Sequence, residues 1–254
     1  MNTTVIYITD NCINEEIDLL CRNHILSSIG ELPLISVSHK PMDFGHNICV
    51  GELDRNSLSI NIQIMKALDI AETKYIAIAE HDVLYTPEHF TFIPPDNESW
   101  YNENVWMLQY YSKDNPQFNG MFSQFKQRKA NSQLICSTET MISSTQDRID
   151  MMGDPAWFRK YPSGRIGEAG AMDYKHAMRL ATGDSVSHIR EALKKYINRY
   201  KGYNWNSTLP NVDIRHNMNF TKNRRGVHRR YDIPHWGTME NIFNERVINT
   251  NTSP

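Results

Sequence analysis

An α/β fold with a mostly parallel central sheet is what this sequence predicts. Strand-like and helix-like segments alternate over the first 90 residues, and the strand-like segments are continuously apolar, as in sheets covered on both faces. The chain has 254 residues, 40% of them hydrophobic, so it can bury a sizeable core without disulfide bonds or structural metals.

Five segments of the first half follow this alternation. Apolar, β-branched runs predict strands, and apolar side chains at helical spacing predict helices. In chain order these are a strand at 4–8, a helix at about 14–30, a strand at 32–39, a helix from Ser57 or Ser59 to about 70, and a strand at 75–79. The polar segment 40–56, which contains Pro and Gly, is predicted to be a loop.

The second half is less regular. Residues 105–111 and 133–143 are typical of strands, and residues 172–181 and 185–202 of helices, the second ending at Gly202. From about Asn204 the chain has little periodicity. There is no internal repeat, low-complexity linker or clear domain boundary, so a single domain is expected.

The charge of the chain is unevenly distributed although its net value is only −2. Residues 190–230 contain eleven Lys or Arg and two acids, so this segment carries about +9 and the remainder about −11. Such asymmetry predicts that the C-terminal part contacts an anionic partner. The alternative is a basic surface balanced by the acidic remainder.

Cysteine usage and hydropathy predict a cytoplasmic protein, in the host cytoplasm if it is viral. The four cysteines are scattered without a C-x-x-C pair, which is typical of reduced thiols. No apolar run approaches the roughly 18 residues that cross a bilayer. The N-terminus lacks the basic and apolar regions of a secretory signal.

A polar triplet, Glu80-His81-Asp82, directly follows the apolar strand at 75–79. Ligands of parallel α/β sheets bind outside the carboxyl ends of the strands. Glu80 and Asp82 point to the same side of an extended chain, and two carboxylates at one point repel unless a cation lies between them. Oxygen ligands favour Mg²⁺ or Mn²⁺. Alternatively, these acids cap a helix that begins near Thr86 and Pro87.

The order of VIYITDN, ISVSH, a Gly-containing loop, a buried helix and KYIAIAEHDVLY resembles the nucleotide-binding half of GT-A glycosyltransferases, in particular family 2. In that family a D-x-D motif binds the cation that holds the donor diphosphate, and Glu80-His81-Asp82 is an E-x-D variant. The resemblance implies a Rossmann-like GT-A domain over 1–254, with helices flanking the sheet and a basic helical C-terminal part. It divides the chain into a donor half (1–110) and an acceptor half (111–254). It also implies Mn²⁺ or Mg²⁺ and a nucleotide-sugar donor, expected to be a UDP-sugar.

Further site residues follow from the resemblance. Thr9, Asp10, Asn11 and His39 match positions near the nucleotide. The alternative for Asp10 or Asn11 is to cap the next helix. His235 resembles a C-terminal His that completes the metal site in many members. Its alternative is a loop histidine stacked on Trp236.

The segment from Gly164 to Arg179 resembles the region that carries the catalytic base of inverting members. Asp173 matches this base, although Met172 replaces the usual Glu, and Glu168 is a second candidate. The alternative for Asp173 is a helix cap. A protein base implies inversion in a hexosyl- or pentosyltransferase, and without one retention stays open.

The basic segment is interleaved with aromatic residues, a composition suited to phosphates and bases. This suggests DNA as the acceptor, through hydroxymethylated pyrimidines of the kind that some phage enzymes glycosylate. The expected contacts are Lys194, Arg199, Lys222, Arg224, Arg225, Arg229 and Arg230. Open alternatives are a glycosyltransferase of surface polysaccharide or glycoconjugate synthesis, a nucleotidyltransferase, and a non-catalytic nucleic-acid-binding module. No P-loop motif is present, which argues against a P-loop kinase.

Overall fold

A computed structural model describes residues 2–111, 113, 116–124, 129–161, 166–172, 174–219 and 227–244. A seven-stranded sheet forms its centre, and a four-stranded sheet lies beside it. This mixed α/β architecture with a mostly parallel central sheet confirms the predicted fold class.

The strands are numbered in chain order. They are β1 (Thr3–Thr9), β2 (Leu34–Ser38), β3 (His46–Cys49), β4 (Tyr75–Glu80), β5 (Val83–Leu84), β6 (Ser99–Asn102), β7 (Val105–Gln109), β8 (Phe122–Gln124), β9 (Leu134–Ser137), β10 (Gly202–Trp205) and β11 (Asn211–Arg215). The central sheet has the order β10-β6-β9-β4-β1-β2-β3, and the second sheet has the order β5-β11-β7-β8. Within the central sheet, β9 runs antiparallel to β4 and β6, and the other pairs are parallel.

Eight α-helices occur in the described part of the chain. They are α1 (Glu15–Ile29), α2 (Ser57–Leu68), α3 (Pro87–Thr91), α4 (Thr138–Met152), α5 (Pro155–Lys160), α6 (Tyr174–Leu180), α7 (Ser187–Arg199) and α8 (Met239–Asn244). Asn14, Asn56, Ser137 and Asp154 cap α1, α2, α4 and α5 through their side chains. None of these helices combines the length and apolarity needed to cross a membrane.

Burial on both faces explains why β1 and β4 are continuously apolar. Successive side chains of a strand point to opposite faces. Ile6 and Ile8 pack with Ile64 of α2, whereas Val5 and Tyr7 pack with Ile25 of α1. The two helices therefore cover opposite faces of the central strands, which excludes water from both sides.

The structure differs from the predicted elements at several boundaries. The strand predicted over 133–143 ends at Ser137, whose hydroxyl accepts a hydrogen bond from Thr140 N and so begins α4. The loop predicted over 40–56 contains β3. The helix α7 ends at Arg199, and Gly202 starts β10 instead of capping the helix. The C-terminal part is therefore not only helical, because β10 and β11 each join a sheet.

The second sheet holds the chain immediately after Glu80-His81-Asp82. Val83 and Leu84 pair antiparallel with Asp213 and Val212. In addition, Ile214 N donates a hydrogen bond of 2.7 Å to the Asp82 carbonyl. The end of β11 is thereby fixed beside the turn that follows β4.

The segment 166–172 is held against the first residue of β10. Gly170 has φ +69°, and a Cβ there would overlap the Gly202 backbone. The ammonium group of Lys129 joins the two segments, donating hydrogen bonds to Gly170 O (3.0 Å) and Gly202 O (2.6 Å). This contact leaves no room for a side chain at position 170.

We expect Gly170→Ala to destabilise the protein more than Gly51→Ala. Both residues have positive φ, so both substitutions cost about 1–2 kcal/mol of backbone strain. Only at Gly170 does the added methyl group meet backbone, which adds about 1–3 kcal/mol for the overpacking. Urea unfolding of both variants measures the difference, and equal losses would contradict the close backbone approach.

Candidate metal and nucleotide site

A cleft of about 150 Å³ opens at the carboxyl ends of β1 and β4. The two strands are parallel neighbours with Ile8 opposite Glu80, so their last residues meet at the same sheet edge. Side chains from both ends line the cleft, together with residues from α2, α4, the segment 166–172 and the chain after β11. Its charged and imidazole-bearing lining residues are Asp10, Arg55, Glu80, His81, Asp82, Arg148, Glu168 and Arg215.

Asp82 is buried and held by the chain that follows β11. Asn219 Nδ2 donates a hydrogen bond of 2.6 Å to Asp82 Oδ2, and His216 Nε2 lies 3.5 Å from the same oxygen. The alternative role of a helix cap is wrong for this carboxylate. Thr86 is the N-cap residue of α3, and no side chain caps that helix end.

His81, Asp82 and His216 form a group that could hold a metal ion. One potential ligand atom of each lies within 4.8 Å of the others. Two imidazoles and one carboxylate suit Mn²⁺ better than Mg²⁺, which prefers oxygen ligands. Glu80 lines the same cleft but does not belong to this group.

The hydrogen bond of the His81 ring is compatible with cation binding, whereas that of the His216 ring would have to change. His81 Nδ1 lies 2.7 Å from Thr9 Oγ1, which leaves the second ring nitrogen for a metal. His216 Nδ1 accepts a 3.2 Å hydrogen bond from Met218 N, so the neutral ring carries its proton on Nε2, facing Asp82. A cation bound between His216 Nε2 and Asp82 would take the place of the proton on Nε2. The neutral ring would then carry its proton on Nδ1, which could no longer accept the hydrogen bond from Met218 N.

The electrostatic environment keeps Asp82 and Asp10 ionised. Burial raises the pKa of Asp82, but His216 beside it and the charges of His81 and Arg215 outweigh burial, and the pKa falls to about 2. At Asp10 burial also opposes ionisation, whereas the hydrogen bond from Cys12 and the charge of His81 prevail and lower its pKa. Both carboxylates are therefore anionic at neutral pH and attract cations.

Asp10 links the end of β1 to the chain after β11. Its carboxylate accepts hydrogen bonds from Cys12 N (3.1 Å) and Arg55 Nε (2.5 Å). Arg55 Nη2 in turn donates to Met218 O at 2.6 Å. The hydrogen bonds of Arg55 therefore connect the end of β1 with the chain after β11, the two segments that flank Asp82.

Thr9 and Asn11 complete this end of β1. Thr9 lines the cleft, and its hydroxyl accepts a hydrogen bond from Asn11 N at 3.0 Å. Asn11 has φ 55°, and its side-chain oxygen accepts from Lys40 N at 2.9 Å. Neither Asp10 nor Asn11 caps α1, since the cap is Asn14, so the capping alternative is wrong.

Of the remaining residues predicted to bind the donor or to act as the base, some line this cleft and others do not. His39 is buried at the end of β2 and does not line it. Glu168 lines it from the segment 166–172. Asp173, the other candidate base, lies outside the described residues.

His235 is not a member of the group formed by His81, Asp82 and His216. It occupies a turn with φ 75°, and its ring packs edge-on against Trp236 with centroids 4.7 Å apart. This corresponds to the alternative of a loop histidine packed on Trp236. His216 is the C-terminal histidine near Asp82 instead, and the sequence signal for it was the strand-like VDIRH, which ends at an imidazole as YIAIAEH does.

Several predicted phosphate contacts have acidic partners within the protein. Lys194 pairs with Glu191 at 2.6 Å, Arg199 with Asp147 at 3.5 Å and Arg230 with Glu240 at 3.9 Å. The backbone of Arg229 bridges to Phe122. Lys222, Arg224 and Arg225 lie outside the described part of the chain. Glu191 is already included in the count of about +9, but Asp147 and Glu240 lie outside residues 190–230 and make the available positive charge smaller than that count suggests.

Comparison with known proteins gives partial structural similarities only. No protein-family model matches the chain, and no curated protein matches it in sequence. A glycosyltransferase involved in glycosylation of the major capsid of PBCV-1 is similar over 87% of this chain and 95% of that one, with 8% identity and a TM-score of 0.44. The mannosyltransferase PcManGT from Pyrobaculum calidifontis, solved with GDP-Man and Mn²⁺, has 12% identity and a TM-score of 0.40, covering 84% of this chain.

The bifunctional IspDF from Campylobacter jejuni is similar over 57% of this chain, with 9% identity and a TM-score of 0.34. This chain spans 56% of PcManGT and 43% of IspDF, so it matches only part of either protein. Two of these three proteins are glycosyltransferases by name, the class that the sequence resembles. All three TM-scores are below 0.5.

We expect His216→Gln to weaken Mn²⁺ binding at least tenfold, because it removes one of three ligands. His235→Gln is the matched control and should leave the affinity unchanged, since that ring packs on Trp236. Isothermal titration of Mn²⁺ into both variants and the unmodified protein measures the effect. A loss confined to His235→Gln would return the ligand role to that residue.

Proposed function

We propose that the protein is a metal-dependent glycosyltransferase that moves a sugar from a nucleotide-sugar donor to a hydroxyl acceptor. The observation that carries the proposal is the His81, Asp82 and His216 group at the carboxyl end of β4, with Glu168 lining the same cleft as His81 and Asp82. A cation-binding group and a carboxylate base are the two requirements of an inverting transfer from a diphosphate leaving group.

The metal group would act on the leaving group. Its three side chains would hold Mn²⁺ or Mg²⁺, which supplies positive charge to the departing diphosphate. Asn219 contributes by fixing the Asp82 carboxylate through its 2.6 Å hydrogen bond. Arg55 keeps Asp10 oriented toward the cleft, so the end of β1 is prepared before a ligand arrives.

The donor nucleotide would bind across the end of β1. Thr9, Asp10 and Asn11 offer a hydroxyl, a carboxylate and an amide there, which are groups suited to ribose hydroxyls and a base edge. A UDP-sugar is the donor we propose to test first. Its diphosphate would then point toward the His81 and Asp82 side of the cleft, where the acids and imidazoles converge.

Glu168 is the base we propose among the described residues. Its carboxylate would accept the proton of the acceptor hydroxyl as that oxygen attacks the anomeric carbon, with the diphosphate leaving from the opposite face. This geometry inverts the anomeric configuration. Asp173, five residues further on, is the competing candidate.

Glu168→Gln should retain donor binding and lose about two orders of magnitude or more in turnover, because only proton transfer is removed. Glu139→Gln, an exposed acid of α4, is the matched control and should keep its activity. Transfer rates and donor affinity are measured with radiolabelled nucleotide sugar. A loss in Asp173→Asn but not in Glu168→Gln would move the role to Asp173.

The released product separates this proposal from a nucleotidyltransferase. A glycosyltransferase releases a nucleoside diphosphate, whereas a nucleotidyltransferase releases pyrophosphate. Both reactions can use a carboxylate-bound metal, so the site alone suits either. Analysis of the products formed from a nucleotide sugar and Mn²⁺ decides between them.

We further propose DNA, modified with hydroxymethylated pyrimidines, as the acceptor. The charge of about +9 over residues 190–230, which already includes Glu191, supports this, reduced by Asp147 and Glu240 outside the segment, which pair with Arg199 and Arg230. Transfer to a polysaccharide or glycoconjugate is the competing outcome, and incubation with labelled donor and each acceptor distinguishes the two.

Replacing Arg224, Arg225, Arg229 and Arg230 by Gln should weaken DNA binding and flatten its salt dependence. Each lost duplex contact reduces the log–log slope by about 0.9. Arg159→Gln combined with Lys160→Gln, on exposed α5 positions, is the control for a general loss of charge. DNA affinity at several salt concentrations is the measurement. Affinity independent of salt in the unmodified protein would contradict a DNA acceptor.

A further inference from the structure

Arg148 is a buried cation in the wall of the cleft. It lies on α4, is only 2% exposed, and is among the largest fully buried side chains. It nevertheless lines the same cavity as Glu168 and Asp82. Its small exposed part therefore belongs to the cleft.

The guanidinium has few partners for a buried charge. Nε donates to Ser144 O and Nη2 to Thr145 Oγ1, both at 3.4 Å and both within α4. Across the described ranges, no carboxylate lies within ion-pair distance of it. The other two arginines of the cleft differ, because Arg55 pairs with Asp10 and Arg215 lies 3.4 Å from Asp213.

Such a group is costly to bury. An ion removed from water loses several kcal/mol of hydration unless a counter-charge and good hydrogen bonds replace it. Arginine cannot avoid this cost by losing its proton, because a guanidinium group stays protonated in proteins. Two long hydrogen bonds satisfy little of a guanidinium that has five N–H donors. The fold alone therefore does not compensate this charge.

Arg148 belongs to a different element from the residues of the proposed diphosphate site. His81, Asp82 and His216 belong to the chain that follows β4 and β11, whereas Arg148 lies on α4. Asn131, Ile166 and Glu168 line the same cleft, together with the strand ends. An anion bound by Arg148 would lie against the α4 wall of this cleft, which Glu168 also lines.

We propose that Arg148 binds an anionic group of the substrate, a carboxylate or a phosphate, in addition to the diphosphate. The inference rests on the proposed glycosyltransferase function and names its substrate class. Either the transferred sugar is acidic, as in a uronic acid, or the acceptor carries the anion close to its reacting hydroxyl. A guanidinium fork pairs with either group through two parallel hydrogen bonds.

Matched nucleotide sugars test the donor as the source of the anion. UDP-glucose and UDP-glucuronate differ by one carboxylate, as do GDP-mannose and GDP-mannuronate. Calorimetry with Mn²⁺ gives the affinity of each for the unmodified protein, Arg148→Met, Arg148→Lys and the exposed control Arg159→Met. If the donor supplies the anion, the acidic member binds about tenfold tighter or more. Arg148→Met then abolishes the preference, Arg148→Lys keeps part of it and Arg159→Met keeps all of it.

Small anions test the acceptor as the source. With Mn²⁺ and UDP or GDP bound, the protein is titrated with two matched pairs of compounds. Glycerol 3-phosphate is compared with glycerol, and free glucuronate with glucose. A preference of about tenfold or more for the charged compound, lost in Arg148→Met, assigns the anion to the acceptor. The proposal is overturned if neither series shows a charge preference that depends on Arg148. It is also overturned if Arg148→Met weakens Mn²⁺-dependent UDP or GDP binding by the same factor, because the guanidinium would then serve the diphosphate.

Thermal unfolding distinguishes this role from a structural one. Methionine fills similar space without a charge, so Arg148→Met should be at least as stable as the unmodified protein. A lower melting temperature that Arg148→Lys restores would make Arg148 a structural residue and overturn the proposal. If the unmodified protein binds no nucleotide with Mn²⁺, the proposed function fails. In that case, inorganic phosphate that stabilises the unmodified protein but not Arg148→Met would still identify the anion site. If phosphate did not stabilise the unmodified protein, the anion site would be rejected.

Discussion

The pairing of β11 with β5 is the constraint on which the candidate site depends. Asp82 follows a strand of the central sheet, and its carbonyl accepts a hydrogen bond from Ile214, a residue of the second sheet. Two residues beyond Ile214, His216 reaches the Asp82 carboxylate, and Asn219 follows with a direct hydrogen bond. The backbone register of β5 and β11 within the second sheet thus brings together side chains that are 134 to 137 positions apart in the sequence.

Asp82 and Asp10 stay charged because imidazole and guanidinium groups lie beside them. Burial alone would favour the neutral form of Asp82, yet its pKa falls to about 2 because His81, His216 and Arg215 lie near it. The same rings that lower this pKa are potential metal ligands. A proton on His216 and a bound cation therefore compensate the same negative charge and compete for one position.

The sequence predicted the central strands well because their burial on two faces leaves a continuous apolar signal. It predicted Glu80-His81-Asp82 as a site because polar residues interrupt that signal at a strand end. The sequence analysis missed His216, because β11 is a strand of only five residues with Asp213 and Arg215 among them, which weakens the apolar signal of VDIRH. Those two charges are buried and lie 3.4 Å apart, so a locally polar pattern concealed a buried strand. Likewise Gly202 resembles a helix cap in sequence, and only its contact with Gly170 shows why glycine is needed there.

Two arginines of the same cleft differ in whether an acidic side chain pairs with them, and this difference decides how their charge is used. Arg55 is partly exposed and spans Asp10 and the Met218 carbonyl, so its charge is used within the fold. Arg148 is more deeply buried, and within the described part of the chain its hydrogen bonds go to a carbonyl and a hydroxyl oxygen of its own helix. Neither residue stands out in the sequence, since each is one basic residue in a polar stretch. The difference arises when α4 packs against α2 and carries its arginine into the cleft, where water can no longer solvate the charge fully.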